Sequence, residues 1–147
     1  MELKDPEDLT FRPIVAGPVC ETHRLSDLID ILLKLFIKHV DTCSYVRDDV
    51  DFLNYIPKSI PENTVMVSFD VTSLNTNISH KLGLEAIKYW LDKFPHLIHG
   101  RFNKDFIMEG IKTILEHNNC EFNEQFYNQV KGTAMGTKFA PTYATLV

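Results

Sequence analysis

Val65-Met-Val-Ser-Phe-Asp70-Val-Thr-Ser-Leu-Asn-Thr-Asn77 is the stretch on which the reading of this chain turns. Val65, Val67 and Phe69 alternate with Met66 and Ser68, the period-2 pattern of a short strand with one buried face. Asp70 falls where that strand ends, and a polar turn follows at once. Ligand sites of α/β proteins often lie just past the carboxyl ends of strands. A carboxylate there offers hard oxygen ligands for an ion such as Mg²⁺. On this stretch alone the commoner role for Asp70 is the cap of the helix that follows.

The chain around it has 147 residues, enough for one modest core, and a single domain over 1–147 is the economical reading. At 44% hydrophobic and 24% charged residues it is globular rather than disordered. The longest apolar run, Ile31-Leu-Leu-Lys-Leu-Phe-Ile37, is short and interrupted by Lys34, so no membrane span is expected. Met1-Glu-Leu-Lys-Asp-Pro6 lacks the basic and then apolar pattern of a signal segment. Cys20, Cys43 and Cys120 are odd in number and far apart, which suits reduced thiols in an intracellular setting, nuclear or cytoplasmic. The Asn77-Ile-Ser79 sequon is then not expected to carry a glycan. A net charge of −5 argues mildly against a nucleic-acid partner, although Lys131 and Lys138 are the only charges after Glu124.

Taken in order, Phe11-Arg-Pro-Ile-Val-Ala-Gly17 is a short extended piece in which Arg12 is either a solvated strand residue or a phosphate clamp. Helical spacing predicts a helix from Ser26 to about Val40, with Leu28, Ile31, Leu32, Leu35 and Phe36 on its apolar stripe and Thr22 or Ser26 as its cap. A second, short helix spans roughly Arg47 to Tyr55, with Val50, Leu53 and Ile56 apolar, and Pro57 and Pro61 end it. Lys81 to Phe94 reads as a helix burying Leu84, Ile87, Trp90 and Leu91. Asn103 caps another, to about His117, with Phe106, Ile107, Ile111, Ile114 and Leu115 inward. Cys120–Asn123 and Phe126–Val130 form a plausible hairpin around 123–125. Pro141 fits the first turn of a last helix running through Tyr143 and Leu146.

Most local chemical signals are weak. Gly132 and Gly136 suggest a backbone that something approaches closely. The spacing to Lys138 is nevertheless wrong for a P-loop, which needs four intervening residues and an immediate Lys. His96-Leu-Ile-His99 lacks the partner pair of a metal site. Ser79-His80 lacks the glycines of a nucleophile elbow.

In combination the motifs are specific. Phe11-Arg-Pro-Ile, then Ser68-Phe-Asp70-Val-Thr-Ser-Leu-Asn-Thr-Asn-Ile78, then Gln129-Val-Lys-Gly-Thr-Ala-Met-Gly-Thr-Lys-Phe-Ala-Pro-Thr-Tyr-Ala144 resembles a reverse transcriptase domain, most nearly of the Penelope-like retroelement type. The resemblance runs from about Phe11 to Val147. It implies an α+β fold, the fingers and first part of the palm of a right-hand polymerase, with helices packed on a small, mostly antiparallel sheet. It implies RNA-directed DNA synthesis, with an RNA template, a DNA primer and deoxynucleoside triphosphates as partners. Two Mg²⁺ ions (or Mn²⁺) would clamp the in-line attack. By the same resemblance Asp70 is the first metal-binding carboxylate and the Val71 carbonyl assists it. Arg12 grips the triphosphate, Asn75 stands at the ribose 2′-hydroxyl, Met135 and Gly136 lie against the template base and nucleotide, and Lys138 contacts phosphate.

The chain departs from that pattern in four respects. The two adjacent aspartates that complete the family's metal site come after Asp70 and are not found before Val147. Asp48-Asp49 lies upstream and on a helix, so it does not substitute. Asn75 replaces the usual aromatic residue, and Ser79 and Thr145 replace the usual Pro and Asn. Nothing in residues 1–147 reads as the nuclease domain often attached to such elements. The expectation is a polymerase fragment without activity of its own. The rival expectation is a domesticated, non-catalytic module that binds nucleic acid or protein.

Overall fold

The computed structural model describes residues 20–40, 46 and 48–147. Its elements are helices α1 (His23–Ile37), α2 (Asp49–Tyr55), α3 (Leu74–Asn77), α4 (His80–Lys93), α5 (Lys104–Glu116) and α6 (Phe139–Leu146), and strands β1 (Asn119–Phe122) and β2 (Gln125–Asn128). A 3-10 turn at Pro95–Leu97 follows α4. The class is α+β, with one two-stranded antiparallel sheet among the described residues.

Side chains at the helix starts satisfy amide donors that have no partner within the helix. Asp48 Oδ1 accepts from Asp51 N–H at 2.8 Å, Ser79 Oγ from Leu82 N–H at 3.2 Å, and Asn103 Oδ1 from Phe106 N–H at 2.7 Å. Thr22 holds the N-cap position of α1 without a side-chain capping bond. Ser26, the other expected cap, is instead buried inside the first turns of α1, where its Oγ accepts the Phe139 N–H that opens α6, at 3.3 Å.

The core is a packed group of α1, α4, α5 and α6. Ile29, Leu33 and Phe36 of α1 meet Ile87 and Leu91 of α4, Ile107, Ile111, Ile114 and Leu115 of α5, and Phe139, Tyr143 and Leu146 of α6. Asp30 is buried with them, and its two oxygens take Lys34 Nζ at 2.6 Å and the Thr142 hydroxyl at 2.6 Å. A buried carboxylate needs such partners, and the second ties α1 to α6. Trp90 Nε1 donates to the Leu146 carbonyl at 2.8 Å, closing the other end of α6 onto α4.

The apolar stripe of α1 is rotated from the expected one. Leu32 and Phe36 are buried, but Ile31 is 62% exposed and Leu35 is exposed, while Ile29 and Leu33 take their place. The apolar residues of α1 cover most of its circumference, so spacing alone does not choose the phase; contact with α5 and α6 does. Phe106 is likewise exposed at the edge of α5, whose other four expected residues are buried. α2 buries none of its residues. Its expected start, Arg47, lies outside the described residues.

The expected strand Val65–Phe69 is not formed. Residues 64–71 carry no ladder with any other segment among the described residues, and Phe69 is 93% exposed. A strand exists only by exchanging N–H and C=O bonds with a neighbour. The one hairpin among the described residues pairs Asn119 with Asn128 through to Phe122 with Gln125, and residues 64–71 join neither of its two open edges. Its turn is Asn123-Glu124, both with positive φ (52° and 60°), as a type I′ two-residue loop requires. The capping role for Asp70 also fails, because Ser73 holds the N-cap position of α3 and Ser79 that of α4.

Candidate functional site

The polar turn after Asp70 folds on its own short-range bonds. Ser73 takes the left-handed conformation (φ 53°) and opens the one-turn helix α3. The Thr76 hydroxyl donates to the Ser73 carbonyl at 3.0 Å, and Asn77 Nδ2 donates to the Thr72 carbonyl at 3.0 Å. Ser, Thr and Asn are the residue types that make such side-chain-to-backbone turns.

Against this turn lies the loop from Gly132 to Lys138. Gly132 is buried, has φ +74°, and its Cα faces the Asn75 carbonyl and the Thr76 backbone so closely that a Cβ would collide with both. Only glycine fits that conformation and that approach. Thr133 N–H then donates to the Asn75 carbonyl at 2.7 Å. His80, the first residue of α4, brings its Nε2 to 3.0 Å from the Gly132 carbonyl across 52 residues of sequence. The two motifs that the sequence singles out are therefore neighbours in space.

Beside this junction the hairpin and the loop enclose an open groove of ≈ 450 Å³, lined among others by Thr76, Cys120, Tyr127, Gln129, Thr133 and Met135. Thr133 is 1% exposed, and its hydroxyl has no hydrogen-bond partner among the described residues. The floor of the groove is thus mixed, with amide and hydroxyl groups beside apolar ones.

The expected site residues divide into three groups. Asn75, Met135 and Gly136 are half-buried at or next to the junction, and Asn75 contributes through its main-chain carbonyl. Asp70 and Val71 are exposed and stand outside the groove lining. Lys138 is exposed, its Nζ 3.5 Å from Asp27 Oδ1 of α1, and does not line the groove. Arg12 lies outside the described residues. Thr76, His80 and Thr133 join the junction without being among the expected site residues. Thr76 and Thr133 stand within the quoted motifs, but the contacts that bring them and His80 together join distant segments and leave no local signal.

Divalent ions require several converging oxygen ligands. Among the described residues no group of three His, Cys, Asp or Glu is placed to hold one. Asp70 alone does not fit the expected Mg²⁺ or Mn²⁺ pair. Compared with protein-family models, curated proteins and solved structures, the chain has no match. No helix among the described residues is long and apolar enough to cross a membrane.

Proposed function

We propose that the chain is part of an RNA-directed DNA polymerase domain of the Penelope-like retroelement type, contributing fingers and the first part of the palm. Its surface for RNA template, DNA primer and nucleotide is the junction of the Asn75–Thr76 turn with the Gly132–Gly136 loop. One observation carries this reading. The resemblance assigns those two segments to a common nucleotide-and-template site, and Thr133 N–H bonds the Asn75 carbonyl at 2.7 Å. Gly136, half-buried at the end of that loop, has no side chain to keep a base pair from its backbone. The described residues do not supply the metal chemistry of such enzymes, because one exposed carboxylate does not hold two cations. The 147 residues alone are expected to give no primer extension with Mg²⁺ or Mn²⁺ above a heat-killed control.

Binding is the decisive measurement. A fluorescein-labelled RNA–DNA primer–template is titrated with the chain at low salt and followed by anisotropy. The expected result is saturable binding that weakens as salt rises, because the phosphate backbone supplies most of the attraction. Met135→Asp places a negative charge at the groove and is expected to weaken it about tenfold or more, by like-charge repulsion with phosphate. A folded chain that binds no heteroduplex at low salt refutes the polymerase reading. The non-catalytic, protein-binding alternative would then stand on the exposed apolar residues Val65, Met66, Val67, Phe69 and Val71.

A further inference from the structure

The Gly132 carbonyl and the Thr133 N–H belong to one peptide unit, and in a trans peptide they point in opposite directions. Both are occupied: the carbonyl faces His80 Nε2 at 3.0 Å, and the N–H faces the Asn75 carbonyl at 2.7 Å. Turning this peptide plane over means rotating ψ of Gly132 and φ of Thr133 together. Turning it would break both bonds at once and re-aim Met135 and Gly136. A carbonyl oxygen only accepts, so His80 must carry its proton on Nε2.

We propose that His80 is a positioning residue: its Nε2–H clamps the Gly132–Thr133 peptide against Asn75 and fixes the course of the loop that lines the groove. As a device for the groove's ligand, this rests on the heteroduplex reading above; as a clamp on the loop, it is independent of that reading. His80 reaches no substrate in this arrangement and acts through the Gly132 carbonyl. Ser79, which caps α4 immediately before it, holds the helix start from which the imidazole projects.

The test uses the full 147-residue chain with His80→Leu and His80→Gln, the glutamine amide restoring an N–H donor at similar reach. Three quantities are read: the His80 tautomer in the wild-type chain by long-range ¹H–¹⁵N correlation, hydrogen exchange at the Thr133 amide, and heteroduplex affinity. The clamp requires an Nε2–H tautomer. It also requires Thr133 exchange about tenfold faster in His80→Leu, the equivalent of one ordinary hydrogen bond of about 1.4 kcal/mol, and recovery in His80→Gln. A parallel loss and recovery of heteroduplex affinity extends the clamp to ligand binding. Unchanged Thr133 exchange in a folded His80→Leu chain overturns the proposal, as does a wild-type His80 whose neutral form carries its proton on Nδ1. The tautomer measurement decides the matter even if His80→Leu does not fold. A protected, His80-dependent Thr133 amide in a chain that binds no heteroduplex sustains the clamp and refutes only the polymerase reading.

Discussion

Tyr143→Phe is expected to stabilise the protein, and increasingly so as pH rises. Tyr143 is 1% exposed, its ring lies 5.2 Å from that of Phe139, and its Oη abuts Gly83 with no hydrogen-bond partner among the described residues. A buried hydroxyl left unbonded costs ~1–3 kcal/mol relative to solvating it in the unfolded chain. Removing it leaves only a hydroxyl-sized gap beside Gly83, so a net gain of ~1 kcal/mol is expected near neutral pH. Burial also raises the phenol from 10.0 to about 12. A folded-state pKa above the unfolded one means that the neutral form is favoured in the fold. That contribution is complete below pH 10 and is lost as pH climbs through 12. By about pH 11 the wild-type chain has lost ~1 kcal/mol through this group, and by full ionisation ~3 kcal/mol. The phenylalanine variant loses neither. The advantage of Tyr143→Phe therefore grows from ~1 kcal/mol to ~2 kcal/mol between neutral and about pH 11. Urea titrations followed by circular dichroism at several pH values give both numbers, and the other tyrosines cancel between the two chains. A variant less stable than wild type at neutral pH shows that the hydroxyl is bonded. A gap that does not widen with pH shows that the phenol is not held in the core. Either result refutes the packing described for α4 against α6.

Gly83→Ala is expected to lose ~2–3 kcal/mol despite the better helix propensity of alanine, because the new methyl coincides with the Tyr143 hydroxyl. Gly100→Ala, with open space around it, serves as the thermal-melt control and should change little. Glu124→Gly relieves a side chain from φ 60° in the hairpin turn and should add up to ~1 kcal/mol, measured by the same melts; destabilisation would mean that the turn is not type I′. Phe69→Lys breaks the exposed, unpaired run of residues 65–71 and is expected to raise the monomer fraction in size-exclusion chromatography with light scattering. An unchanged profile would show that this run does not drive association.

Helices are legible in the sequence because their signals are local. Asn103 stands three residues before the amide it caps, and Ile107, Ile111 and Ile114 recur at the helical period, so α5 falls within a residue or so of its expected ends. The hairpin is local too: four residues on each side of Asn123-Glu124 decide it. Val65–Phe69 reads as a strand and forms none, because alternation states that a segment suits a sheet, not that a neighbour is present to complete one. The candidate site is half legible. The glycine pair and the Asn75 turn stand out as motifs, whereas the His80 contact with the Gly132 carbonyl depends on how α4 packs against the loop.

By itself, then, the sequence determined elements whose bonds close within about four residues: the cap at Asn103, the periodic faces of α4 and α5, and a hairpin turning near 123–125. Only the tertiary structure decided which side of α1 is buried, that Ser26 serves α6 rather than its own helix, that Thr142 donates to the buried Asp30, and that His80 and Asn75 close on a single peptide at Gly132. The physical reason is the range of the interaction. Capping and periodicity satisfy groups along one continuous backbone. A buried hydroxyl, carboxylate or peptide must be satisfied by whichever distant segment packing delivers to it.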